Sequence, residues 1–308
     1  MNPLKLNTIT ECPDEGQGVN NWTIRAAWQL RNEGINAEKA HSILLEQTTR
    51  ADSWVAEAEI ARAIETVYRT KSKASTRKAK PKWPPRQKEV IEAVLKSPVT
   101  LDDFRNESPS NAGISPFEAL NTLFPGDPLL CLGVRNDRID TRPKSAWEKD
   151  IMRYQFIVPN PMTARTGLNQ SGRESRRCLA NTGARRFLVV EQDPPAWEGL
   201  DEESKSKYDD EQDYKTHQLS NQATILAHLN EYVPLACAVF SGSKSLHGWF
   251  FVEKLPEAQQ IRFFRYCVQL GADPAMWTKC QFTRLPGGRR TPGLKHQTIY
   301  FINNDYGK

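Results

Sequence analysis

The apolar positions of this chain fall into two regimes. Near the N-terminus they recur at helical spacing. Residues 22–30 read as one helix, which Gly34 ends. A second covers 37–47, with Ala40, Ile43 and Leu44 on one face, and a third covers 56–68, with Ile60, Ala63, Ile64 and Val67 inward. The indoles of Trp22, Trp28 and Trp54 are expected to supply the core of this block. Further on, helical and strand patterns alternate irregularly. Helices are expected over 88–96 and 116–123, and buried strands over 129–134 and 154–159. An apolar strand starts at Arg185 and ends in two carboxylates, and a helix follows over 217–229. Strands over 235–240 and 249–252 flank a polar turn. An amphipathic helix over 258–270 turns Ile261, Phe264 and Val268 inward and Arg262 and Arg265 outward. A last strand spans 296–302. The irregular alternation predicts an α+β fold or a mixed sheet.

Between the two regimes, 70–86 carries Lys71, Lys73, Arg77, Lys78, Lys80, Lys82 and Arg86, with no acid, and closes on Pro84-Pro85. Such a run reads as a flexible tether that can also lie along a nucleic-acid backbone. The expected organisation is a small helical domain over 1–69 with a loosely held start, a basic linker over 70–86, and a second domain over 87–308.

Composition narrows the function only modestly. The net charge of +5 is compatible with a polyanionic partner. No apolar run approaches the roughly 18 residues of a membrane span, and the first residues lack a basic-then-apolar leader pattern. A cytoplasmic location is therefore expected. The six cysteines, Cys12, Cys131, Cys178, Cys237, Cys267 and Cys280, show neither zinc spacing nor a disulfide framework.

Three stretches carry candidate chemistry. The strand ending Glu191-Gln192-Asp193 places two carboxylates two residues apart, on one face, with Cα atoms roughly 7 Å apart. Hard divalent cations favour such oxygen donors. The turn from Ser241 to His247 offers hydroxyls, a flexible Gly242, Lys244 and His247, a combination able to cradle a phosphate. The same turn also reads as an ordinary surface hairpin. The third stretch, 281–290, sets Arg284, Arg289 and Arg290 around a Pro-Gly-Gly turn, with Asp273 shortly before it. Residues 160–184, rich in Gly, Ser, Asn and Arg, read as a basic loop near the acidic pair.

Taken in order, these stretches resemble the archaeo-eukaryotic primase superfamily. That family carries an acidic pair at a strand end, a loop running from Ser to His, then a third Asp ahead of a basic-x-Pro turn. The wording of 241–250 and 270–288 is similar to primases of phages, plasmids and other mobile elements. Glu191 stands where many members have Asp. The resemblance implies a sheet of the RNA-recognition type packed with a second α/β unit around a catalytic cleft. It implies primase-polymerase activity, with Glu191, Asp193 and Asp273 holding two Mg²⁺ or Mn²⁺ ions roughly 3.5–4 Å apart. Ser241, Lys244, His247, Arg284 and Arg290 would bind a nucleoside triphosphate. The implied partners are a single-stranded DNA template and a replicative helicase. A replication-initiation or single-strand-binding protein that keeps the fold without catalysis is the alternative, and a metal-dependent nuclease a further one.

Overall fold

A computed structural model describes residues 19–50, 57–69, 81–109, 113–290 and 295–307. The chain divides into two compact units, 1–80 and 81–308. In the first, three helices, α1 (Val19–Asn32), α2 (Ala37–Arg50) and α3 (Glu57–Arg69), pack together. Trp22, Ala26, Ala27 and Leu30 of α1 repeat at helical spacing and are buried, with Ala40 and Leu44 of α2 and Ile60, Ile64 and Val67 of α3. Gly34 ends the α1 region at φ +80°, a conformation that costs glycine little. The Tyr68 hydroxyl donates to the Ile35 carbonyl at 2.9 Å and ties α3 to the α1–α2 turn. Trp22 belongs to this core, whereas Trp28 is 41% exposed. It lies on the side of α1 away from the buried stripe, so the expected Trp28 contribution is corrected. Trp54, residues 1–18 and residues 70–80 lie outside the described residues.

The second unit starts earlier than the sequence pattern suggests. The Trp83 ring meets Phe264 edge-on at 5.1 Å and Trp277 at 5.4 Å, and the Gln87 N–H donates to the Gln269 carbonyl. Residues 81–86 are thus attached to this unit. One aromatic ring outweighs the Pro and Lys around it. Three helices follow, α4 (Lys88–Leu95), α5 (Leu101–Asn106) and α6 (Pro116–Leu123). Thr100 caps α5, and Ser115 with Glu118 forms a reciprocal capping box on α6.

The strands are β1 (Leu129–Gly133), β2 (Ile139–Pro143), β3 (Phe156–Ile157), β4 (Gly167–Leu168), β5 (Glu174–Ser175), β6 (Phe187–Glu191), β7 (Leu235–Phe240), β8 (Leu246–Phe251), β9 (Thr283–Arg284), β10 (Arg289–Arg290), β11 (Lys295–His296) and β12 (Ile299–Ile302). Helices α7 (Glu202–Lys205) and α8 (Glu211–Asn230) lie between β6 and β7, and α9 (Glu257–Gln269) follows β8. Two four-stranded antiparallel sheets result, in the orders β2-β1-β3-β9 and β12-β7-β8-β6, with small ribbons β4-β5 and β10-β11. The fold is therefore α+β, a helical unit followed by antiparallel sheets with helices.

All six residues of β8 are buried, which explains why its apolar residues, with His247 the one polar exception, run consecutively rather than alternating. Gly248 faces α8, where an added Cβ would stand 2.4 Å from Leu226 Cδ2. Trp249 packs edge-on against Phe124 and Phe187. In the first sheet the alternation sorts two cores. Leu130, Leu132 and Ile157 join the main core, while Cys131, Val158, Met162 and Phe282 form a second one. Segment 159–184 lies by that second core, anchored by bridges from Met162 to Leu129 and Thr182. It is a pinned hairpin and not a plain loop. No helix among the described residues is long and apolar enough to cross a membrane.

Candidate functional site

The site is assembled where the two large sheets meet. Strand β6 ends at Glu191, and in the register of β6 and β8 Glu191 stands opposite His247. His247 is therefore a strand residue, buried to 2%, and the turn before it spans only Ser241–Ser245. Its Nδ1 lies 3.1 Å from Thr283 Oγ1 on β9 and 3.4 Å from Glu191 Oε2, and its Nε2 lies 3.4 Å from Ser245 Oγ. This one imidazole joins both sheets. Burial, with Arg284 nearby, pushes its pKa down to about 3, so the ring is neutral at pH 7. The contact with Glu191 is accordingly no salt bridge.

Glu191 is pushed up to about 7, chiefly by burial; Arg284 opposes the shift, and Asp273 and Asp193 add to it. The Asp273 N–H donates to the Glu191 carbonyl at 2.9 Å. Two stretches eighty-two residues apart by subtraction are thus joined through the backbone. The side chains are arranged differently from the expectation. Pro194 and Pro195 lack the N–H that a continuing ladder needs, and β6 stops at Glu191. Asp193 lies beyond the strand, 67% exposed, with Oδ1 2.8 Å from Lys244 Nζ. Asp273 is exposed, and its Oδ1 accepts the Ala275 N–H as a cap. The shared-face geometry of Glu191 and Asp193 is corrected accordingly. Among the described residues, no group of three or more His, Cys, Asp or Glu closes into a metal-holding set. The donor chemistry nevertheless suits a hard cation that completes its shell with water and phosphate oxygens, as Mg²⁺ commonly does with only one or two carboxylates.

The polar turn is built around its first hydroxyl. Ser241 Oγ accepts from the N–H groups of Ser245 at 3.1 Å and of Ser243 and Lys244 at 3.4 Å. Gly242 supplies the positive φ, +81°, that this turn requires. Lys244 Nζ bridges Asp193 and the Pro194 carbonyl, the latter at 2.9 Å. Arg290 Nη1 donates to Ser243 Oγ. Arg284 Nη1 donates to Gln155 Oε1 at 3.1 Å, and its guanidinium stacks over Phe156. Burial, then Arg290, lowers the Arg284 pKa, while Glu191 opposes the change. Cations from three elements thus surround one hydroxyl-lined turn beside a carboxylate, an arrangement suited to an oligophosphate.

Each candidate from the sequence is found in this neighbourhood. Glu191, His247, Arg284 and Thr283 form its buried part, and Ser241, Lys244, Arg290, Asp193 and Asp273 its more open part. Thr283 and Gln155 complete it without a distinctive sequence signal. Thr283 is recognisable only because it precedes Arg284 in a two-residue strand, and Gln155 only through the fold. Most of the arginines of 160–186 are engaged elsewhere. Arg176 pairs with Asp140, Arg185 stacks on Trp277, and Arg186 pairs with Glu253. The chain matches no protein-family model, no curated protein and no solved structure.

Proposed function

We propose that this chain is a primase-polymerase of the archaeo-eukaryotic type, performing template-directed nucleotidyl transfer on single-stranded DNA. The observation that carries the reading is the meeting of three distant motifs: Asp273 bonded to Glu191, Lys244 to Asp193, and Arg290 to Ser243. Nothing local requires these stretches to converge, whereas a nucleoside-triphosphate site needs their cations, hydroxyls and carboxylates side by side. The two-sheet architecture is compatible with a primase core that has the helical unit ahead of it. Glu191 and Asp193, with Asp273 turned from its cap, would hold Mg²⁺ or Mn²⁺. When bound, that ion supplies activation of a 3′-hydroxyl and a clamp on the triphosphate. The chain's own part is to orient. Ser241, Lys244, Arg284 and Arg290 receive phosphate oxygens, and neutral His247 fixes the turn through Ser245 and β9 through Thr283.

A second reading is favoured by the Lys244–Asp193 ion pair, which occupies a carboxylate that catalysis needs free. In that reading the chain binds nucleotide or single strand and synthesises nothing, acting in replication initiation. Labelled nucleotides on unprimed single-stranded DNA with Mn²⁺ separate the two. Extended product supports synthesis, and binding without product supports the second reading. Absence of both nucleotide binding and product would remove the primase reading.

A further inference from the structure

We infer that the partly open edge of the second core at β3 and β9, together with the β4–β5 hairpin, forms the track on which a single-stranded nucleic acid lies, ending at Arg284. The inference rests on the reading of the site as a nucleotidyl-transfer centre, whose strand has to reach that centre from somewhere on the surface.

The alternation of the strands defines the face. Gly133, Phe156 and Arg284 are neighbours in register across β1, β3 and β9, so they share one side of the sheet. Phe156 and Phe282 stack there with centroids 5.5 Å apart and planes 19° from parallel. The Arg177 guanidinium lies 4.0 Å from the Phe282 centroid, and that of Arg284 lies 4.7 Å from the Phe156 centroid. The result is a continuous row of cation, ring, ring and cation. Its length is bought with Gly133, since a Cβ there would stand 2.9 Å from Phe282 Cζ. Phe282 is buried in the second core, whereas Phe156, Arg177 and Arg284 are each only half-buried and leave surface open at the edge of the row.

At the Arg177 end the row passes into the hairpin. Asn169 Oδ1 accepts the N–H groups of Ser171 and Arg173, each at 3.0 Å, and the Ser171 hydroxyl at 2.8 Å, which fixes the turn. The Thr141 hydroxyl donates to the Arg176 carbonyl at 2.8 Å and holds the hairpin beside β2. Arg165 and Arg173 project from this anchored piece, exposed and without an ion-pair partner among the described residues. Leu168 is 65% exposed and Leu179 48%. Across 160–186 the chain carries six arginines and one acid, Glu174. The sign of that charge decides the partner. Free guanidinium groups neutralise phosphates, while the exposed leucines and the open edge of Phe156 offer apolar surface to unstacked bases of any sequence.

Anisotropy of a labelled single-stranded oligonucleotide, titrated with the full chain at several salt concentrations and with no nucleotide or metal, tests the track. R165A/R173A is expected to bind about tenfold more weakly, with the slope of log K against log salt shallower by ~1.4, about 0.7 for each lost phosphate contact. Its nucleotide binding is expected to be unchanged. Phe156→Leu is expected to weaken oligonucleotide binding about fivefold or more with little change in slope, its thermal melt certifying the fold. Wild-type affinity and slope in R165A/R173A would overturn the track while leaving the nucleotide site intact. Wild-type binding that salt does not weaken would overturn it in favour of a protein surface. A wild-type chain that binds neither nucleotide nor oligonucleotide would overturn both the track and the function on which it rests.

Discussion

Glu191 faces His247 across neighbouring strands, its Oε2 3.4 Å from the ring Nδ1, and the two groups are shifted in opposite directions. Glu191 goes up to about 7 and His247 down to about 3. The folded state thus holds a Glu191 proton that the unfolded chain releases above its ordinary carboxylate pKa. That contribution is present at low pH and is lost as pH rises towards 7. His247 acts in the other sense. Its contribution is present above the ordinary imidazole pKa and is lost as pH falls towards 3. Between about 4.5 and 6.5 the two offset each other. Glu191→Gln removes one of them. Its thermal stability is expected to rise with pH through that window, where the wild type stays nearly flat. Parallel pH profiles for the two proteins in thermal melts would refute the opposition.

Lys244 gives a pair of opposed effects. It holds Asp193 and, under the proposed function, also receives phosphate. Lys244→Ala should therefore bind Mn²⁺ more tightly in the absence of nucleotide, read by titration, because Asp193 loses its competing cation. The same variant should bind nucleoside triphosphate about ten- to a hundredfold more weakly, the range for one charge-assisted hydrogen bond. Weaker Mn²⁺ binding in the variant would mean that the lysine supports the carboxylates instead of competing for them.

Arg284→Ala is expected to weaken triphosphate binding by a similar factor and also to raise the Glu191 pKa further, since the guanidinium opposes that shift. Difference infrared spectroscopy of the carboxyl band against Glu191→Gln reads the second effect. A carboxyl that titrates unchanged would mean that Arg284 is screened from Glu191.

Gly248→Ala tests the contact between β8 and α8. The added methyl would meet Leu226 at 2.4 Å, and Leu226 has the main core behind it. Overpacking of this kind costs typically 1–3 kcal/mol. Urea denaturation should show a lower midpoint with an unchanged slope. A wild-type midpoint would show that α8 can shift without penalty.

The boundary between the units is testable by truncation. A fragment of residues 81–308 keeps Trp83 against Phe264 and Trp277, and one of residues 87–308 does not. For a half-buried ring the loss should be ~2 kcal/mol, or roughly 4–8 °C in Tm at this size. Equal melting temperatures would return 81–86 to the tether.

Periodicity identified most elements because burial of one face is a local property. The expected strand over 235–240 and helix over 116–123 occur at those bounds. Errors arose where a tertiary contact overrides local pattern. Trp83 sits among prolines and lysines, yet its ring is packed. The expected strand over 296–302 divides, because the Thr298 carbonyl accepts from Phe240 while Lys295 and His296 pair with β10. The short strands β9 and β10 are two residues each and leave no alternation to read. At the candidate site the residue types were legible, since hydroxyls, cations and carboxylates are marked by their chemistry. Their present engagements were not, because Lys244 with Asp193 and Asp273 with its own backbone are choices made in three dimensions.

The Ser241 hydroxyl has a consequence for how quickly this turn could exchange its guest. Three N–H groups converge on one oxygen of the chain itself, so the turn already has the curvature of an occupied anion nest. An arriving phosphate oxygen would need only a rotation about the Ser241 Cα–Cβ bond to take that place, with no rearrangement of the backbone. The turn is a vessel kept in shape by its own stopper. Rotation of an exposed side chain takes picoseconds to nanoseconds, and this one is buried and bonded, so the rotor's release sets the pace of exchange. A carboxylate placed at 241 would hold the same N–H groups more strongly and repel an arriving phosphate, keeping the shape and closing the entrance.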